Sequence, residues 1–134
     1  MTISILVLEK DLFFTEKIRD TLKHYDMSVT IARNLATFEQ RLSDTDEGSR
    51  PSLVIVNTAI RGVDWEAAIR AARTRNLPVL CFGSHMDLEA RAKALEAGSQ
   101  QVVANSKFSK DMAGLVTRML SNTMTAEDDV FDEA

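Results

Sequence analysis

The sequence predicts an α/β protein with a doubly wound, five-stranded parallel sheet and helices on both faces. Two observations carry this prediction. Short apolar runs recur at Ile3 to Leu8, Val29 to Ala32, Leu53 to Val56, Val79 to Phe82 and Val102 to Ala104. Longer stretches of helical period separate them, which is the alternation that crossover connections impose on a parallel sheet. A chain of 134 residues, 45% of them hydrophobic, suffices for one filled core.

Each element has its own signal. The first helix carries a buried stripe at Phe14, Ile18 and Leu22, the second at Leu35, Phe38 and Leu42, and the third at Trp65, Ile69 and Ala72. The fourth is read with Leu88, Ala92 and Leu95 inward, and the fifth with Phe108, Met112, Leu115, Val116 and Met119 inward. All follow the i, i+3, i+4, i+7 spacing of an amphipathic helix. Asn34 and Asp64 suit helix N-caps, Ser84 with Asp87 three residues later forms a capping-box pattern, and Gly98 suits a left-handed helix end. DTDEGSRP, 44–51, reads as a polar loop.

The charge distribution narrows the partners. Sixteen basic and twenty acidic residues give a net charge of -4, but TAEDDVFDEA at the end holds five acids and no base. The rest is close to neutral and lacks the basic stripe that neutralises phosphates along a duplex, so nucleic acid is not an expected partner. The organisation expected is one domain over 1–122 and an acidic tail, 123–134, with too few apolar residues to fold alone and disordered in the isolated protein. Protection of tail amides would mean instead that Phe131 docks on the body. The tail could also meet a basic partner or the Arg70, Arg73 and Arg75 cluster. The single cysteine, Cys81, lies in the apolar run PVLCF, which excludes a disulfide framework. With no secretory signal and no run of transmembrane length, a cytoplasmic protein without membrane contact is expected.

In an open doubly wound sheet, ligands gather at the carboxyl ends of the strands. The residues there are Glu9, Lys10 and Asp11; Asn57; Gly83, Ser84 and His85; and Asn105, Ser106 and Lys107. Across residues 3 to 120 these segments, ILVLEKD, LVIVNTAIRGVDWE, PVLCFGS and AGSQQVVANSKF, resemble the conserved stretches of response-regulator receiver domains. The resemblance implies a flavodoxin-like topology with strand order 2-1-3-4-5. It places the phospho-accepting aspartate position on Asn57, the two metal-binding acids on Glu9 and Lys10, and the switch hydroxyl on Gly83, with Ser84 one place late. The family lysine falls on Asn105, with Lys107 as the alternative if the loop carries an insertion, and the switch aromatic falls on Val102. Only Glu9 keeps its role.

A carboxamide is too poor a nucleophile to accept a phosphoryl group, and an ammonium at Lys10 opposes the divalent cation that the reaction needs. The expectation is a pseudo-receiver: not an enzyme, with no metal and no cofactor, acting through protein contacts in bacterial signalling. Two readings of Lys10 stay open, a counter-ion bonded to Glu9 and the Asn57 carbonyl, or a solvated surface lysine. The resemblance points to the face of the fourth helix, fifth strand and fifth helix as a contact surface, with Arg91, Ala94, Val103, Lys110 and Ala113, and allows a homodimer through it. Leu12 and Phe13 are a further candidate contact, since at least one must face outward. Rival readings are a nucleotide-like small-molecule module at the crevice and a Ser84/His85 hydrolase. The hydrolase lacks an orienting acid, and adjacent residues seldom face one another. His24, at the end of the first helix, is read as structural.

Overall fold

The computed structural model describes residues 3–44 and 50–121. The expected tail and most of the 44–51 loop lie outside these residues. Five parallel strands, β1 (Ile3–Leu8), β2 (Met27–Ala32), β3 (Leu53–Asn57), β4 (Val79–Gly83) and β5 (Gln101–Ala104), form one sheet in the order β2-β1-β3-β4-β5. This is the predicted topology. Five helices connect them: α1 (Leu12–Lys23), α2 (Leu35–Leu42), α3 (Trp65–Thr74), α4 (Leu88–Ala97) and α5 (Asn105–Ser121). No helix among the described residues is long and apolar enough to cross a membrane.

Because both faces of the sheet are covered, alternate residues of each strand enter two separate cores. Leu6, Leu8, Val54, Val56, Val79 and Cys81 point to the side of α2, α3 and α4. Ile5, Val7, Leu53, Ile55, Leu80 and Phe82 point to the side of α1 and α5. A strand buried on both sides cannot alternate with polar residues, which is why LVIV is continuous. On the second side, Phe82 of β4 stacks on Phe108 of α5 at 4.2 Å between centroids, and Phe14 of α1 meets it edge-on at 5.1 Å. This trio lies beneath the carboxyl end of the sheet and ties two helices to β4.

The inward stripes of α1, α2, α3 and α5 are as predicted, with Phe14, Leu35 and Trp65 half-buried at the margins. That of α4 is not. Ala90, Ala94 and Ala97 are buried, whereas Leu88 and Leu95 are 70% and 46% exposed. Ala94 and Ala97 pack with Val79, Cys81, Val102 and residues of α3, where only small side chains let the helix approach the sheet edge. Both sets of residues have helical period, so periodicity alone does not choose between them.

Asn34 and Asp64 cap α2 and α3 as expected, through bonds from Thr37 N and Ala67 N. His24 closes α1 and contacts the Asp20 carbonyl, in keeping with a structural role. The cap of α4 is Asp87, not Ser84, because the helix begins three residues later than the capping-box pattern implies. Asp87 accepts from Ala90 N, and Ser84 instead stabilises the preceding turn by accepting from Met86 N. Gly98 ends α4 at φ +116°, and a side chain there would also strike Arg73.

Candidate functional site

The carboxyl ends of β1, β3 and β4 bring Glu9, Asn57 and Gly83 to one crevice. Glu9 is 2% exposed. Its Oε1 accepts from its neighbours' amides, Lys10 N at 2.8 Å and Asp11 N at 3.4 Å. The remaining capacity of this buried carboxylate is met by one group. Asn57 Nδ2 donates to Oε1 at 3.0 Å and to Oε2 at 2.8 Å. The orientation of the amide is dictated on its other side, where Asn57 Oδ1 accepts from Ala59 N at 2.8 Å in an Asx turn. An ionised carboxylate only accepts and a backbone N–H only donates, so the carboxamide fits here in one way.

Lys10 follows neither reading of the sequence fully. Its side chain is exposed, yet Nζ reaches across the crevice to donate to the Arg61 carbonyl at 3.0 Å in the β3–α3 loop. It is not paired with Glu9 and does not touch Asn57, so the counter-ion reading is corrected: the carboxamide satisfies Glu9, and the ammonium is a strut between loops. Asp11 caps α1, accepting from Phe13 N at 2.9 Å and Phe14 N at 3.2 Å.

At the other wall, Gly83 is buried and its absent side chain is explained by Thr58. A Cβ built on Gly83 would collide with Thr58 Oγ1. Thr58 N and Oγ1 both donate to the Phe82 carbonyl, at 3.0 and 3.3 Å, and latch the start of the β3–α3 loop to β4. A hydroxyl therefore does stand beside the position where the resemblance expects one, but it comes from the neighbouring strand. The register shows why: Asn57 lies opposite Phe82, so Thr58 and Gly83 are the next pair. Thr58 is the site residue that the sequence reading missed, and its only signal was the strand register.

A magnesium ion does not suit this arrangement. Glu9 is the only carboxylate of the set, its oxygens are taken by the Asn57 amide and two backbone N–H groups, and no group of three or more candidate ligands exists among the described residues. Asn105 and Ser106 are exposed on the first turn of α5. Lys107, half-buried on the same turn, is bonded to neither Glu9 nor Asn57, and it forms no ion pair among the described residues. Ser84 and His85 are exposed and share no hydrogen bond. The dyad that a hydrolase needs is not assembled.

Beside the crevice, between α4 and the end of β5, lies a pocket of about 380 Å³. Its floor is Gly83, Val102, Val103 and Ala104, and its rim includes Leu88 and Arg91. Of the predicted contact surface, Arg91 and Ala113 are half-buried and Lys110 is exposed, but Ala94 and Val103 have almost no accessible surface. Those two are corrected to core residues: Ala94 faces the sheet from α4, and Val103 points from β5 towards α5. Leu12 and Phe13 both face outward at the start of α1.

Against solved structures the chain is similar to many receiver domains. It aligns with a protein described as a response regulator from Chloroflexus aurantiacus at TM-score 0.79 and 19% identity, over 91% of this chain and 100% of that one. The receiver domain of TorR, the response regulator of the TMAO respiratory system, gives 0.78 and 14%, over 89% and 97%. The receiver domain of NtrX from Brucella abortus gives 0.75 and 16%, over 88% and 98%. No protein-family model matches the chain. No curated protein matches it either. The chain thus has the receiver fold.

Proposed function

We propose that this receiver-fold chain is a pseudo-receiver, acting through protein–protein contacts in a bacterial signalling pathway, independently of aspartyl phosphorylation and without enzymatic activity. One observation carries the reading: the Asn57 carboxamide holds both oxygens of Glu9. The site is complete in hydrogen bonds without a phosphoryl group or a cation, so nothing in it calls for either. The Thr58 latch and the Lys10 strut support a single conformation of the crevice loops. With its own chemistry gone, the fold retains surfaces, and the exposed side of α4 is the leading one. There Leu88, at the pocket rim, and Leu95, two turns further along the helix, are both exposed. Receivers in general supply the analogy for a signalling role.

The test has two arms. Incubation with acetyl phosphate and magnesium should leave the protein's mass unchanged, and an added phosphate that disappears in Asn57→Ala would overturn the reading. In the second arm the immobilised chain is used to recover partners from its native cell. Leu88→Gln with Leu95→Gln should lose a partner that Leu12→Gln with Phe13→Gln retains.

The pocket favours a second reading, a small-molecule module, since its volume lies at the low end of cavities that bury ligands. A thermal-shift screen against nucleotides and cyclic dinucleotides distinguishes the two. A saturable rise in Tm that Val102→Phe removes would favour the module.

A further inference from the structure

The pocket between α4 and β5 is built from features that each restrict what can fill it. Its floor is apolar, and the two positions where the resemblance expects a larger side chain, Gly83 and Val102, both belong to its lining. The space those side chains do not take, about 380 Å³, is at the low end of ligand cavities and suits one aromatic ring with short substituents.

Two lining residues bring polar groups to that floor. Thr58 is 8% exposed, and its hydroxyl stands where a Gly83 side chain would begin. The hydroxyl proton is directed to the Phe82 carbonyl, so what Oγ1 offers a ligand is an acceptor. Arg91 is positioned from the other side: its Nη1 donates to the Val102 carbonyl at 3.2 Å, which holds the guanidinium beside β5. A planar guanidinium suits a carboxylate, which it can meet through paired N–H bonds. Asp87, the only acid of the lining among the described residues, is turned to the backbone as the cap of α4. A buried acceptor and a rim cation across an apolar floor match a ligand of the opposite polarity, with a donor at one end and a negative charge at the other.

We propose that this pocket binds a small aromatic acid whose ring carries an O–H or N–H donor opposite its carboxylate. The donor bonds Thr58 Oγ1, the ring lies on Val102, Val103 and Ala104, and the carboxylate faces Arg91. This deepens the second reading, the small-molecule module, and rests on it. A bound ring would wedge between β5 and α4 next to Leu88, so occupancy would bear on the helix face proposed for a partner.

The test uses the purified full chain, with para-hydroxyphenylacetate as the probe and the methyl resonances of Leu88, Val102 and Val103 as the readout. Saturable shifts with a Kd of about 1 mM or lower are expected. Phenylacetate, which lacks the hydroxyl, should bind roughly fivefold more weakly, and tyramine, with an ammonium in place of the carboxylate, should not saturate. Thr58→Val should erase the preference for the hydroxylated acid and retain phenylacetate binding. Arg91→Gln should weaken both acids roughly tenfold. Val102→Phe, which fills the pocket, should abolish binding, and the other two variants keep the test valid if this one fails to fold. No saturable shift with the probe would overturn the proposal. So would equal binding of tyramine, an unchanged preference in Thr58→Val, or shifts that persist in Val102→Phe. A nucleotide that raises Tm while the probe leaves these methyls unmoved would sink the ligand class and leave the module reading standing.

Discussion

Asn57 answers to a neighbour. A carboxylate in its place would keep the bond from Ala59 N, lose both bonds to Glu9 and set two negative charges about 3 Å apart in a closed site. Asn57→Asp should therefore destabilise the protein at neutral pH by about 2–4 kcal/mol. Such a pair binds one proton tightly, and a raised carboxyl pKa is stability present at low pH and lost as pH rises. The deficit seen in urea unfolding should accordingly shrink on acidification. Because Lys10 is bonded to the Arg61 carbonyl, magnesium should stabilise Asn57→Asp but not wild type. An equal response in both would mean that the carboxylates do not meet.

Thr58 and Gly83 are a steric pair of the same kind. Gly83→Ser should cost about 1–3 kcal/mol by overpacking against the Thr58 hydroxyl. Thr58→Ala, which loses only a neutral bond to Phe82, should cost about 1 kcal/mol. In the double variant the serine finds room, so the two costs should fall short of adding, and strict additivity in a double-mutant cycle would refute the pairing.

At the scale of the element, α4 is the informative case. Its alanines make the contact with the sheet and its leucines do not. Ala94→Leu should be destabilising by about 1–3 kcal/mol. Leu95→Gln should stay within about 0.5 kcal/mol in chemical denaturation. A helix seated on its leucines would give the reverse order. α5 shows a different device: Asp111 leaves helical geometry at φ -129°, ψ 32°, and its carboxylate folds over Gly114, where a Cβ would collide with it. The kink does not disturb the inward stripe, since Phe108 before it and Met112, Leu115, Val116 and Met119 after it are all buried.

For the molecule as a whole, the two cores among the described residues lie on opposite faces of the sheet, and Cys81 records how dry the first one is. Its thiol is pushed up to about 12 by burial, offset in part by a hydrogen bond with Ser99. A raised thiol pKa favours the folded state below the unfolded value near 9, and that contribution disappears as pH climbs from 9 towards 12. Stability should decline over that interval, and Cys81→Ala should flatten the decline. At neutral pH the native thiol should resist alkylation until the protein unfolds.

The sequence by itself determined the architecture and that the position matching a receiver's phospho-acceptor holds a carboxamide. Strands buried on both sides must be continuously apolar, and crossover helices must repeat between them, so composition along the chain suffices for the sheet and even for its order once the resemblance is drawn. Whether a side chain can act as a nucleophile is a property of its type, and Asn57 lacks it wherever it points. Only the tertiary structure decided which partners the residues have. It set Asn57 against Glu9 and sent Lys10 to Arg61. It placed the Thr58 hydroxyl over Gly83 and turned α4 onto its alanines. These depend on the separation and register of elements distant in the chain. Periodicity shows which residues share a face, but the space between packed elements decides which face goes inside.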